Sequence, residues 1–300
     1  MAAGGGVSGL LASGCRSLGI ADDASPNSTV RFGIVSDLHY ADIDSRPESA
    51  LSAAGGRYFR ESRRKLAEAV AVFNARKLDF AIELGDFKDD SGGRERTIKC
   101  LEAIESEFAK FSGPRYHVAG NHDFDCITPD EFFSRVPNDG MISSSGYYSF
   151  ECGGVKFVVL DACFDSFMQH YDCANPWDDS NVPTWELEWF GNELAAAKGS
   201  VIVFCHQRLD DLAEPRHKVR NAAEVRALME RSGKVKGVFT GHQHVGGGCT
   251  VNGITYHTLR AAVCDSGEGA NSFAEVAVYH SGAFSVTEWH TASAITGEIM

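Results

Sequence analysis

Short apolar runs alternate with amphipathic stretches along most of this chain. From Val30 onward the first run, Arg31 to Ser36, reads as a strand. Arg57 to Lys77 then places Leu66, Ala69, Val70 and Phe73 at i, i+3, i+4, i+7 spacing, which predicts a helix with one apolar face. Phe80 to Leu84 is a second strand. Glu95 to Phe111 is a second helix whose inner face runs through Ile98, Leu101, Ile104, Glu105 and Phe108. Tyr116 to Ala119 is a third strand. Tyr147 to Glu151 and Val155 to Leu160 flank Cys152-Gly153-Gly154, a hairpin signal. Trp185 to Ala197 and Ala222 to Arg231 read as helices, Val201 to Cys205 and Val235 to Thr240 as strands. From Cys249 the pattern changes to strands joined by tight turns at Asn252-Gly253 and Ser281-Gly282. Strands alternating with helices predict an α/β fold.

The polar residues that end these runs carry the chemistry. Five clusters stand just after expected strands: Asp37-Leu38-His39, Gly85-Asp86, Gly120-Asn121-His122-Asp123, His206, and Gly241-His242-Gln243-His244. Taken singly, each also reads as a cap or a polar turn. Taken together they are carboxylates, imidazoles and an amide at the carboxyl ends of strands, where α/β sheets bind ligands, and packing does not account for the set. In an extended chain residues i and i+2 point the same way, so Asp37 and His39 reach one ion. A mixture of His, carboxylate and amide oxygen suits Mn²⁺, Fe or Zn²⁺ better than an all-oxygen Ca²⁺ site.

Composition narrows the partners. A net charge of −13 over 300 residues argues against gripping long nucleic acid, which needs a basic footprint. A small phosphorylated substrate stays compatible, because bound cations invert the local field. No run reaches the ~18 apolar residues of a spanning helix. The nine cysteines are scattered with no C-x-x-C pair, so neither a zinc ribbon nor a dense disulfide framework is indicated. Residues 1–20 are small and apolar, like the core of an export signal, yet no Lys or Arg precedes them. Residues 1–28 are read as a leader or linker, either the remnant of an export signal or a flexible tail, and residues 29–300 as the domain. The compartment, cytoplasmic or exported, stays open.

The order D-x-H, GD, GNHD, a lone H and GHxH, from about Phe32 to His244, resembles the calcineurin-like metallophosphoesterases. That resemblance implies an αββα sandwich, two mixed β-sheets face to face with helices outside, and two divalent metals at one sheet rim. By motif position Asp37, His39, Asp86 and His244 would hold one ion. Asp86, Asn121, His206 and His242 would hold the other, with Asp86 bridging. Two such ions lower the pKa of a water between them and clamp the entering and leaving oxygens of a displacement at phosphorus, so no protein nucleophile is needed. His122 has no ligand slot in the motif and resembles the histidine that donates to the phosphoryl oxygen or leaving group. Asp89 matches the carboxylate that orients it.

A closer similarity is to the manganese-dependent ADP-ribose/CDP-alcohol diphosphatases. It rests on Phe32 to Asp42 followed by Arg57-Tyr58-Phe59-Arg60-Glu61-Ser62, and on Gly241 to Gly247 followed by Tyr256-His257. Two departures are His39, where that group often carries Gln, and Lys88. The expected activity is hydrolysis of a phosphoanhydride or phosphodiester in a small nucleotide-like molecule; the alternatives are a broad phosphomonoesterase and a non-catalytic scaffold. The candidate substrate contacts are Asn121, His122, Arg57 and Lys88. Lys88 is read either as a phosphate contact or as solvated. Arg57, Arg60, Arg63 and Arg64 form either an electropositive lip or a solvated helix face. Asp42 to Gly56 is a candidate loop over the site. Tyr148, Trp177 and Trp185 either stack on a base or sugar or simply pack.

Overall fold

A computed structural model describes residues 28–47, 56–141, 145–173, 176–290 and 293–297. Residues 1–27 of the expected 1–28 leader and most of the candidate loop (residues 48–55) lie outside them, and Ser28 already opens the first strand. The strands are β1 (Ser28–Val35), β2 (Phe80–Glu83), β3 (Arg115–His117), β4 (Tyr148–Cys152), β5 (Val155–Val159) and β6 (Val201–Phe204). They continue as β7 (Val235–Thr240), β8 (Gly247–Val251), β9 (Ile254–Thr258), β10 (Ser272–Tyr279), β11 (Phe284–His290) and β12 (Ser293–Gly297). The helices are α1 (Ser62–Ala75), α2 (Arg94–Phe108), α3 (Pro129–Phe133), α4 (Thr184–Ala196) and α5 (Ala222–Ser232).

Two six-stranded sheets form, in the orders β12-β11-β10-β1-β2-β3 and β4-β5-β6-β7-β9-β8. Both are mixed: β1, β2 and β3 are parallel while β1 meets β10 antiparallel. In the second sheet β5, β6, β7 and β9 are parallel between antiparallel partners β4 and β8. The facing sheets bury an aromatic layer. Phe32 stacks on Phe80 at 4.6 Å and meets Phe157 and Phe204 edge-on. Such offset and edge contacts are the favoured ring arrangements. Outside the first sheet, Leu66 and Phe73 of α1 and Leu101 and Phe108 of α2 share a buried cluster; outside the second, Leu187 and Phe190 of α4 join Val225 and Met229 of α5. The arrangement is the expected αββα sandwich. Among the described residues no helix is long and apolar enough to cross a membrane, and the described cysteines are free thiols.

Two departures have local causes. The expected helix from Arg57 begins only at α1, after a 3-10 turn over Phe59–Glu61, because Arg57 exchanges both backbone hydrogen bonds with Arg46 as an isolated β-bridge. Helix α3 was not anticipated; Thr128 caps it by accepting from Glu131 N–H, and Glu131 reaches back to Thr128 N–H. That Thr-Pro-Asp-Glu capping box was legible in the sequence.

Candidate metal centre

All five clusters meet where the parallel strands of both sheets end. The segments after β1, β2 and β3 approach from the first sheet, those after β6 and β7 from the second. Backbone hydrogen bonds lace them together: Asp37 N–H to Gly85 C=O (3.0 Å), His39 N–H to Asp86 C=O (2.7 Å) and Gly241 N–H to His206 C=O (3.0 Å). Asp37, His39, Asp86 and His242 all adopt left-handed backbone, with φ of 52°, 44°, 54° and 65°. Such backbone costs non-glycine residues free energy and persists where the surroundings impose it. Asp37 and His39 therefore share one site, but by a left-handed turn and not by the extended i, i+2 geometry expected from the sequence.

Two glycines admit this convergence. A Cβ on Gly120 would lie 2.1 Å from Asp86 N and 2.5 Å from Asp86 Oδ1; one on Gly241 would lie 2.1 Å from Ser36 Oγ and 2.5 Å from Asp37 Oδ2. Asp123, the last residue of the third cluster, faces away from the centre. Its carboxylate accepts N–H groups of Asp86, Phe87, Lys88 and Gly120 at 2.9–3.2 Å and braces the turn carrying Asp86.

The side chains fall into two overlapping groups. Asp37, His39 and His244 present ligand atoms close together, as do Asp86, His206 and His242. Asp86 belongs to both sides, its Oδ2 lying 3.4 Å from His39 Nε2 and 3.2 Å from His206 Nε2. His39 Nε2 and His244 Nε2 are 3.1 Å apart. Asn121 Oδ1 and His242 Nε2 are buried without a hydrogen-bond partner, and His206 Nε2 lies 3.2 Å from Asp86 Oδ2. Orphaned buried acceptors are costly, and both belong, with His206, to the expected second ion's ligand set, so the residues fit the pair of cations.

Electrostatics agree with that fit. Burial holds His242 and His244 well below the usual histidine range, and burial with Arg57 beside it lowers His39 to about 4, leaving neutral imidazoles able to ligate. His206 goes the other way: burial opposes its charge, but Asp86 and Asp37 outweigh burial and raise it to about 10. A pair of carboxylates that attracts a proton so strongly attracts a cation in its place. The other ring nitrogens are held in orientation, His206 Nδ1 on Leu84 C=O at 2.7 Å and His39 Nδ1 3.2 Å from Asp89 Oδ2. Such outer partners aim metal-binding imidazoles.

His122 adjoins these ligands: with His39 and Asp86 it forms a further group of close ligand atoms, and its backbone N–H donates to Asp86 Oδ1 at 2.8 Å. Its Nδ1 lies 2.6 Å from Asp125 Oδ2 and 3.8 Å from Asp89 Oδ1. Asp125, which the sequence reading did not name, is the carboxylate hydrogen-bonded to His122, while Asp89, expected to orient that ring, lies between it and His39 and is nearer His39. The signal was present in Gly120-Asn121-His122-Asp123-Phe124-Asp125, where the second aspartate stands three residues past the histidine. Burial disfavours the charged His122 ring, yet Asp86, Asp89 and Asp125 outweigh it and push its pKa up to about 9.

The remaining candidates separate. Lys88 is fully buried, neither solvated nor open to a phosphate; its ammonium donates to Asp125 C=O at 2.6 Å. Arg57 lies at the edge of the centre, 3.7 Å from Asp89. Arg60, Arg63 and Arg64 pair with Asp42 and Asp44, with Glu107, and with Glu61 and Glu68, so they form no common lip. Tyr148 is core, its hydroxyl donating to His117 C=O. Trp185 packs edge-on to Phe164, while Trp177 lies 5.6 Å from the His242 ring.

Known proteins are similar to this chain in sequence and in fold. Residues 30–246 match the model of the calcineurin-like phosphoesterases. A manganese-dependent ADP-ribose/CDP-alcohol diphosphatase of Oryza sativa subsp. japonica is 28% identical over 87% of this chain and 92% of its own length. The Arabidopsis thaliana protein of that name is 27% identical over 83% and 90%. In fold, the chain is similar to a dimetal phosphatase from Danio rerio, with a TM-score of 0.77 at 20% identity over 90% of this chain and 99% of the other. This chain belongs to the calcineurin-like phosphoesterase family.

Proposed function

We propose that this chain is a manganese-dependent hydrolase of nucleoside diphosphate conjugates, cutting the P–O–P link of molecules such as ADP-ribose and CDP-alcohols. The observation that carries the reading is the convergence of six candidate ligands from both sheets on Asp86, two of them, Asn121 and His242, with buried atoms lacking a hydrogen-bond partner. The names of the plant relatives supply the substrate class.

In this scheme Asp37, His39, Asp86 and His244 hold one ion, and Asp86, Asn121, His206 and His242 the other. The bound pair supplies an activated water and neutralises charge on the phosphoryl oxygens. The chain's own residues do the rest. His122, kept cationic by its carboxylate neighbours, presents Nε2 to the phosphoryl or leaving oxygen, because Asp125 occupies Nδ1. Asn121 precedes it at the same rim. Arg57, with its side chain 25% exposed, is placed to meet a further phosphate oxygen. The acidic surface disfavours a polymeric substrate and leaves a small one free to enter.

A substrate panel with the purified protein and Mn²⁺ tests this reading: ADP-ribose, a CDP-alcohol, a cyclic nucleotide, an aryl phosphomonoester and single-stranded DNA. The two diphosphates are expected to be cut at the anhydride. Turnover of the monoester with neither diphosphate touched would replace the reading by that of a phosphomonoesterase.

A further inference from the structure

A half-buried tryptophan, an exposed arginine and a histidine build a wall on the Asp86–His206–His242 side of the centre. Trp177 comes from the segment between β5 and α4. Arg216 and His217 come from the 3-10 turn Pro215–His217, between β6 and α5. The Trp177 ring lies 5.6 Å from His242 and 5.4 Å from His217, and His217 lies 5.2 Å from His242. Over the Trp177 ring, at 4.4 Å, sits the Arg216 guanidinium. Asp178 accepts from Arg216 Nε at 2.7 Å and fixes the plane, yet the Arg216 side chain stays 64% exposed. A planar cation stacked on an indole and clamped from one edge is a flat shelf with its outer face open.

The substrate class of the proposed function, on which this step rests, says what such a shelf is for. ADP-ribose and CDP-alcohols share a nucleoside 5′-phosphate half and differ in the other half. A site serving both must recognise the shared half, yet adenine and cytosine present different hydrogen-bonding edges. Stacking tolerates that difference, because every base has a π face, and aromatic rings and arginine planes provide it. Arg216 also differs from the other guanidiniums near the centre in its exposure: Arg208 is buried against Asp210 and Gln243, and Arg57, beside Asp89, is only 25% exposed. From this geometry we infer that the Trp177–Arg216 shelf is the base subsite, taking the nucleobase of the nucleoside monophosphate half while its phosphate lies at the metal centre.

Binding separates this inference from the activity. Calorimetry on the full-length, Mn²⁺-loaded protein compares AMP with ribose 5-phosphate, which lacks the base. The wild-type protein binds AMP more tightly. Trp177→Ala and Arg216→Ala each weaken AMP by about tenfold, within the range for loss of one stacked base, and leave ribose 5-phosphate within about twofold. Trp177→Phe, which keeps a ring, stays near wild type for both. Equal losses for the two ligands would mean that Trp177 only supports His242, and would overturn the subsite; so would an unchanged AMP affinity or a wild-type protein indifferent to the base. A chain that cuts neither diphosphate in the substrate panel yet shows the AMP-selective loss keeps the subsite and loses the proposed activity.

Discussion

Asp89 and Asp125 are two buried or half-buried aspartates within reach of the same histidine, and their division of labour decides how His122 works. Asp125 lies 2.6 Å from His122 Nδ1, whereas Asp89 lies 3.2 Å from His39 Nδ1. Removing the charge of each should therefore fail differently. Asp125→Asn is expected to lower kcat by about a hundredfold, the lower end for a positioned proton donor, with two Mn²⁺ still bound. Asp89→Asn is expected to weaken one of the two ions by roughly ten- to a hundredfold, as loss of an imidazole's outer carboxylate does. Manganese titration followed by electron paramagnetic resonance, beside steady-state rates, separates them; the reverse pattern would return Asp89 to His122. The ligand types were legible in the sequence because few side chains bind such metals and these sit where strands stop. The pairing of the two aspartates was not, since it depends on the left-handed turn at Asp86, φ 54°, which swings the following residues toward β1.

The turns that carry the ligands depend on what lies behind them. Gly120 packs so closely on the Asp86 turn that a methyl group would have to displace Asp86 itself. Gly120→Ala is expected to leave the helices and strands intact by circular dichroism while abolishing binding of both ions, because the proposed scheme assigns Asp86 to both. Retention of one tight ion would show that Asp86 does not bridge. Deeper in the first sheet, His117 of β3 lies 3.1 Å from Glu83 of β2 and 3.2 Å from Glu105 of α2. Burial opposes its charge, but Glu105 and Glu83 outweigh burial and raise it from 6.5 to about 9. A raised histidine pKa contributes stability that is fully present below about 6.5 and fades as pH climbs through about 9. Denaturation of wild type and His117→Gln should thus differ by on the order of 3 kcal/mol at neutral pH and below, a gap that shrinks toward pH 10. A constant gap would mean that His117 is neutral in the fold. The elements themselves were legible from periodicity, as at α1, where the apolar positions Leu66, Ala69, Val70 and Phe73 are the buried ones. The buried Glu105 was legible only as a break in an apolar face; its partners Arg115 and His117 lie on β3, and no local pattern says which strand α2 packs against.

The whole molecule joins two sheets whose neighbours are far apart in sequence: β10 enters beside β1, 244 residues earlier at the Arg31–Glu275 contact. Such pairing is not written in local periodicity, which is why the two-sheet architecture had to come from the family resemblance, while the strand order is seen only in the fold. The same topology gives the metal centre a structural role. Asp37 and Asp86 stand on the first sheet, His206 and His242 on the second, and the polar cluster sits at the end of the seam between them. Without cations the carboxylates repel one another in a buried setting; in the proposed ligand sets each ion would take residues from both sheets. A cation that binds the folded chain alone stabilises it by mass action, by about 2.7 kcal/mol at a hundredfold excess over Kd. Chelation is therefore expected to lower the melting temperature by roughly 5–10 °C, and added Mn²⁺ to restore it in proportion to the logarithm of its concentration. Asp86→Asn should melt at one temperature with or without Mn²⁺. If instead the wild type were insensitive to Mn²⁺ while Asp86→Asn alone were destabilised, Asp86 would be a packing residue and the seam would hold without ions.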